Sequence, residues 1–306
     1  MITTICLNPA FDRTVTLAAL RPGEVHRAVS ARSDAGGKGI NVALVLKNLG
    51  AQTQCLWCAP EEDAAQMASR LDRYGLCHCP MPVPGAIRTN LKLVAPEGTT
   101  DINESGARMD EDTLRAVLEA CVVRSAGSSI TVLTGSLPPG CPRGTDRELL
   151  RRLTTPAVLD VSGEELLLGL AARPFLVKPN REELGKSLDI PVDTTAQVLS
   201  GAKALREMGA QNVLVSLGGD GALLLTEGHA WLAPALEVSV RSTVGAGDAM
   251  VAGMLYGYEK TGSLREAFPY GVAAGSAAVM MEGTQPFARE TFDALLRQVL
   301  VQEVPV

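Results

Sequence analysis

The sequence predicts an α/β fold in which a mostly parallel sheet is sandwiched between helices. Short apolar runs alternate with helical patterns along most of the chain, the runs read as strands buried on both faces, and glycine turns sit where strands give way to helices. The strand-like runs are Ile2 to Leu7, Ile130 to Thr134, Ala157 to Val161, Phe175 to Lys178 and Asn212 to Leu217. Between and after them, helical spacing marks Val42 to Leu49, Glu62 to Tyr74, Asp110 to Ala126, Asp146 to Leu153, Glu164 to Leu170 and Leu264 to Met281. Phe292, Leu295, Leu296 and Val299 define an amphipathic closing helix.

Taken in order, the first run stops at Asn8-Pro9, because a proline ring cannot donate to a ladder. Asp12 is expected at the end of that strand. Arg13 to Leu17 alternates polar and apolar, which predicts a half-exposed strand outside the main sheet. Pro80 to Pro84 reads as a turn. In Ile87 to Leu93 the strand period puts Arg88, Asn90 and Lys92 on one face, a span of roughly 13 Å that would line a small site or simply face water. Leu236 to Val240 alternates as a strand feeding the last glycine turn, and Ala249 to Tyr258 leaves that turn as a helix.

Composition narrows the function classes. With 306 residues, 46% of them hydrophobic, the chain can bury a large core, and its net charge of −6 argues against general binding to nucleic acid or anionic membrane. An anionic substrate would then need a local cluster of cations. No apolar run approaches a membrane span and the start lacks the basic residues of a signal peptide, so the expectation is a cytoplasmic protein. Cys55-x-x-Cys58 and Cys77-His78-Cys79 come near a zinc spacing, but the second pair lacks the usual gap and the first sits in an apolar run. Reduced cysteines serving as small apolar residues are the simpler reading.

Two glycine clusters carry the chemistry. Ser242-Thr243-Val244-Gly245-Ala246-Gly247-Asp248 reads as turn into helix, where the first amides lack internal partners and carry the positive end of the helix dipole. Such a turn binds anions. Asp248 beside it would either cap the helix or move a proton where a phosphate sits. Asp34-Ala35-Gly36-Gly37-Lys38-Gly39-Ile40-Asn41 opens another helix with a cation at its start, and it is not a P-loop because Gly39 follows the lysine. Lys178-Pro179-Asn180-x-x-Glu183 brings together a cation, an amide and a carboxylate, as a magnesium site between phosphates requires, although an ordinary helix start looks the same. Ligands in open α/β sheets lie at the carboxyl ends of strands, where Asp12, Ser136, Lys178 and Asp248 are expected.

As a unit, Thr243 to Asp248 resembles the signature of the ribokinase-like (PfkB) sugar kinases. Gly36-Gly37-Lys38-Gly39-x-Asn41, Ile87-Arg88-Thr89-Asn90, Gly135-Ser136-Leu137-Pro138 and Lys178-Pro179-Asn180-x-x-Glu183 are similar to that family's other motifs, in family order. The resemblance implies a three-layer α/β/α sandwich spanning 1–306 as one kinase domain, with a small β-strand lid inserted at approximately 12–32 and 86–104. It implies Asp248 as the base and the amides of Gly245, Ala246 and Gly247 as the anion hole. Asp12, Gly36, Gly37, Asn41, Ser136 and Asn90 would hold the sugar, and Lys38, Arg88 and Lys92 its existing phosphate. ATP would rest on Lys178, Asn180, Ser216, Leu217, Gly218, Gly219, Asp220, Gly221, Thr243 and Gly247, with Mg2+ held by Glu183 through water. The motifs look most like those of kinases acting on a ketose phosphate, fructose 1-phosphate foremost, with tagatose 6-phosphate and fructose 6-phosphate as alternatives. A homodimer through the lid is a further implication. The rival from another class, a non-catalytic sugar-phosphate or nucleotide sensor, would be expected to lack Asp248 or the glycine hole. A dinucleotide oxidoreductase would need a Gly-x-Gly-x-x-Gly after the first strand, and none is there.

Overall fold

The computed structural model describes residues 1–306. From the N-terminus, β1 (Ile2–Cys6) leads into β2 (Ala10–Thr16) and β3 (Ser30–Gly36), followed by α1 (Lys38–Asn48), β4 (Thr53–Pro60), α2 (Ala64–Arg73) and β5 (Cys77–Val83). A hairpin follows, β6 (Arg88–Ala95) and β7 (Gly98–Asn103). Helix and strand then alternate through α3 (Glu111–Ser125), β8 (Ile130–Thr134), α4 (Thr145–Arg152), β9 (Ala157–Asp160), α5 (Glu164–Leu170) and β10 (Leu176–Val177). The chain continues with α6 (Arg181–Leu188), α7 (Thr195–Glu207), β11 (Val213–Ser216), β12 (Ala222–Leu225) and β13 (Ala230–Ala233). It closes with α8 (Ala246–Thr261), α9 (Leu264–Val279), α10 (Arg289–Leu296) and β14 (Gln302–Val304).

A ten-stranded sheet has the order β14-β13-β12-β11-β10-β9-β8-β1-β4-β5, parallel from β11 to β5 and antiparallel at the β12–β14 edge. Alternation of side chains explains its two cores. Ile5, Leu133, Leu159, Val177 and Val213 point to the side covered by Leu118, Leu149, Leu166, Leu184 and Leu205 of α3 to α7. Ile2, Val132, Val158, Leu176 and Leu214 point to the other, against Leu46, Leu255, Phe268 and Phe292 of α1, α8, α9 and α10. Full burial of each such side chain contributes about 1.5–3 kcal/mol, which is why strands wet on neither face read as continuous apolar runs.

The order of strands also fixes where a ligand can sit. From β1 the chain moves to β4 and β5 on one side and then returns to β8 on the other, so the order in which strands are added reverses between β1 and β8. The connections diverge there and leave a crevice at the carboxyl ends. Above it lies a separate four-stranded sheet, β3-β2-β6-β7, formed from the two insertions after β1 and β5.

Three sequence expectations are corrected. Leu236 to Val240 is not a strand, because Pro234 ends the ladder of β13 and the following segment has no partner on either side. Pro80 to Pro84 is not a turn either: Pro80 and Pro82 lie in β5, the edge strand, where spacing by two keeps both ring nitrogens on the side away from β4. Asp12 lies within β2 of the small sheet and not at the end of β1. No helix is long and apolar enough to cross a membrane.

Candidate active site

Gly245 caps α8 in the left-handed region at φ 76°, a conformation that costs glycine nothing. Ala246, Gly247 and Asp248 form the first turn. The Ala246 N–H donates to the Thr243 carbonyl at 3.4 Å, while those of Gly245 and Gly247 have no partner in the protein and remain available to an anion. A Cβ on Gly247 would lie 3.1 Å from Lys178 Nζ, so any larger residue would require the lysine tip to give by a few tenths of an ångström.

Asp248 is buried in the third position of α8, and its Oδ2 accepts from Asn41 Nδ2 at 2.9 Å. Asn41 comes from the first turn of α1, so the two glycine turns meet at this carboxylate. Burial pushes the Asp248 carboxyl up to about 6, with Asp160 adding to the rise and Lys38, Asn41 and Lys178 limiting it. A carboxylate so adjusted is a competent base near neutral pH.

Beneath it lies an ion cluster that the sequence reading missed. Asp160, the last residue of β9, holds Lys178 Nζ at 3.3 Å on one oxygen and Lys38 Nζ at 3.6 Å on the other. The Thr134 hydroxyl donates to the same carboxylate at 2.9 Å. Burial disfavours the Asp160 anion, but the two lysines and Thr134 outweigh it and hold the carboxyl below its usual range. Asp160 in turn holds Lys38 above the ordinary lysine range, with Asp248 contributing. Two ammonium groups against the wholly buried Asp160 carboxylate leave one positive charge, which the ionised Asp248 carboxylate balances. The signal was present in the chain, because Asp160 sits at a strand's carboxyl end like the residues that were singled out.

The small sheet supplies the opposite wall through its register. Asp34, Asp12, Asn90 and Asn103 form one row across the four strands, and Arg32, Thr14, Lys92 and Asp101 the next. Asn90 Nδ2 donates to Asp12 Oδ1 at 2.8 Å. Burial raises the Asp12 carboxyl, opposed by Asn90 and Arg88 and reinforced by Asp34. Arg88 donates to the carbonyls of Glu104 and Asn8, both at 3.2 Å, and its Nε is buried without a partner, as are Asn90 Oδ1 and Asn41 Oδ1. Buried polar atoms left open on both sides of the cavity are what a polar ligand would satisfy. Lys92 reaches Asp101 at 3.1 Å. The opposite face of the sheet carries Val15, Leu91, Leu93 and Ile102.

At the third wall, Asn180 caps α6 in a reciprocal capping box: its side chain accepts from the Glu183 N–H at 2.8 Å, and Glu183 Oε2 accepts from the Asn180 N–H at 2.8 Å. The second oxygen of Glu183 carries no protein bond. Ser216, Leu217, Gly218, Gly219 and Gly221 line the cavity through the turn joining β11 and β12. Asp220 does not, and its carboxylate pairs with Arg181 at 2.6 Å instead. The segment expected to be a strand provides Leu236, Val238 and Val240, which with Val272, Gly275 and Val279 of α9 give the cavity an apolar part.

These walls enclose one cavity of about 1210 Å³. Asp12, Gly37, Lys38, Asn41, Arg88, Asn90, Lys92, Ser136, Lys178, Asn180, Glu183, Thr243 and Gly245 to Asp248 all line it. Gly36 lies behind Asp12, whose carboxylate fills the space its Cβ would need. Besides Asp160, the reading missed Asp34, Asp101 and Asn103, because which side chains share a face depends on strand pairing, and Arg13, which lines the cavity from a row that pairs with Leu91.

The model of the pfkB family carbohydrate kinases matches residues 6–291. The chain is 39% identical to a 1-phosphofructokinase of Xanthomonas campestris pv. campestris over 261 residues, 82% of each chain. It is 35% identical to that of Bacillus subtilis over 295 residues, 95% of this chain and 97% of that one. The crystal structure of phosphofructokinase-2 from Escherichia coli with substrates and products superposes with a TM-score of 0.90 at 29% identity, covering 97% of this chain and 98% of that one. A match that runs through the glycine turns, both insertions and the buried acid at the start of α8 makes this chain a member of the pfkB family of carbohydrate kinases.

Proposed function

We propose that the protein transfers the γ-phosphoryl group of ATP to fructose 1-phosphate, giving fructose 1,6-bisphosphate and ADP. The observation that carries this reading is Asp248, a buried carboxylate pushed up to about 6 and set beside two unpartnered amides, with Arg88 and Lys92 on the facing wall of the same cavity. Asp248 takes the proton of the sugar 6-hydroxyl as its oxygen bonds to the γ-phosphorus and the bond to the β-phosphate oxygen breaks. The amides of Gly245 and Gly247, with Lys178, receive the charge spread over the transferring oxygens; positioning and electrostatics supply most of the rate in this chemistry.

Lys38 is assigned a different task from the one its motif implied. Its ammonium is shared between Asp160 and the field of Asp248, which turns it toward the transferred group and leaves the existing phosphate to Arg88 and Lys92. Asp12, Asn90 and Ser136 hold hydroxyls, and closure of the small sheet excludes water that would otherwise accept the phosphoryl group. The adenine lies in the apolar part of the cavity, at Val238, Val240 and Val279, and the phosphates follow Ser216 to Gly221 toward Asn180. Magnesium fits the donor set: Glu183 keeps one free carboxylate oxygen, and no group of three or more acid, histidine or cysteine side chains forms a closed cage, as suits an ion held mostly by phosphates and water. That ion would neutralise phosphate charge. Residues 1–306 would act as one kinase domain in the cytoplasm, and the apolar outer face of the lid would pair two copies.

A coupled assay comparing fructose 1-phosphate, fructose 6-phosphate and tagatose 6-phosphate tests the reading. The highest kcat/KM is expected with fructose 1-phosphate, and loss of turnover in chelator should be restored by Mg2+. Preference for either other sugar would overturn the substrate, and no turnover of any would overturn the activity.

A further inference from the structure

The lid touches the rest of the cavity wall at a point that none of the motifs covers. Arg32, on β3, is one row from the sugar-facing acids, and it does not itself line the cavity. Its Nε donates to Asp34 Oδ2 at 2.7 Å, and Asp34 does line the cavity, paired across the strands with Asp12. The same guanidinium donates through a terminal nitrogen to the Glu282 carbonyl at 2.8 Å, and its other terminal nitrogen lies 3.7 Å from the Glu282 carboxylate. Glu282 belongs to the connection after α9, not to the lid. The following residues return to the chemistry: Gly283 and Thr284 line the cavity, and a Cβ on Gly245 would lie 3.3 Å from the Thr284 methyl carbon.

We propose that Arg32 is a positioning residue that fastens the lid to the segment beside the anion hole and holds Asp34 for substrate. One planar cation with bonds on two sides joins the sugar wall to the wall bearing Gly245, and its fork geometry suits that double task better than a lysine would. Neutralising Asp34 also matters locally. Without Arg32, the Asp34 carboxylate would face Asp12 across β2 and β3 with no cation bonded to it, and the repulsion would loosen the geometry in which Asp34 meets hydroxyls. Gly283 completes the fit: it has φ 65°, and a Cβ there would meet an Arg32 terminal nitrogen at 2.5 Å. Arg32 therefore docks on bare main chain.

The role rests on the kinase reading above, so wild-type turnover of fructose 1-phosphate is the control. In that assay Arg32→Ala should raise the KM for the sugar phosphate about tenfold, the size of one lost charge-assisted hydrogen bond, with the KM for ATP little changed. Arg32→Lys should fall between the two. Gly283→Ala should reproduce the sugar-KM effect from the opposite side of the contact while leaving Arg32 in the chain. Because both changes break one contact, the double variant should lose no more than the worse single variant. A folded Arg32→Ala protein with unchanged sugar KM, or losses that multiply in the double variant, would overturn the proposal. Wild-type protein that does not turn over fructose 1-phosphate would sink the kinase reading and this role with it.

Discussion

The turn entering α8 and the lid sheet face the same cavity, yet they hold their polar groups by different means. At the turn, Asp248, Asp160 and Lys178 are 6%, 1% and 3% exposed, and the remaining donors are main-chain amides. On the lid Asp12, Asp34, Arg88, Asn90 and Lys92 are half-buried, and three cations already have protein partners: Arg32 with Asp34, Lys92 with Asp101, Arg88 with two carbonyls. An ion in a low-dielectric setting acts strongly on its neighbours, whereas one near water is screened. On the proposed kinase reading, the difference amounts to a division of labour, in which the buried end would govern the barrier and the lid would govern occupancy.

The sharpest way to break that division is Asp248→Asn. Turnover should fall roughly 10²–10⁴-fold, the usual worth of a general base, while ATP binding measured by calorimetry stays near wild type. Unaltered turnover would remove Asp248 from the reaction. The matching change on the lid, Arg88→Ala, should raise the KM for the sugar phosphate roughly 10- to 100-fold and leave kcat within a few-fold. If kcat collapsed and KM stayed put, the lid would belong to the chemistry and the contrast would be lost.

Acid should act on the buried end first. The Asp248 carboxyl is raised to about 6, so its base form disappears as pH falls through that value. The value of kcat/KM should then drop about tenfold per pH unit below 6, and a profile flat to pH 5 would contradict the assigned base. The smallest effect concerns stability. Asp146, at the start of α4, is pushed from 3.8 to about 7 by burial and then by Glu165, and its Oδ2 has no partner. A folded acid with a raised value contributes fully below about 3.8 and loses that contribution as pH rises through about 7. Asp146→Asn should therefore melt roughly 2–4 °C higher than wild type at pH 8, with the gap shrinking as pH falls toward about 4. An identical Tm at pH 8 would show that this buried charge costs the fold nothing.

Legibility of the site followed the same line. Gly245, Gly247 and Asp248 were readable because helix entry, glycine and acid lie together in the chain, and local backbone chemistry sets their roles. Lys178, Asn180 and Glu183 were readable for the same reason, since a capping box is a local device. Asp160 went unseen although it holds both lysines, because Lys38 at the start of α1 and Lys178 just after β10 are brought to it only by the fold. Asp220 was included by adjacency, and its side chain turned away to Arg181. Leu236 to Val240 misled, because alternation alone cannot tell a strand from a segment that has no neighbour to bond.

The amino-acid order by itself determined the layers, the family motifs and the turn that carries the buried acid. All of these rest on interactions within a few residues or on apolar periodicity, which act wherever the segment lies. Only the tertiary structure decided which face of the lid meets the cavity, that Lys38 serves Asp160, and that Arg32 reaches the connection after α9. The lid contacts depend on register, and a one-residue slip in pairing would have turned those lid side chains to the other face, while Lys38 meets Asp160 only because the fold brings the start of α1 to the end of β9.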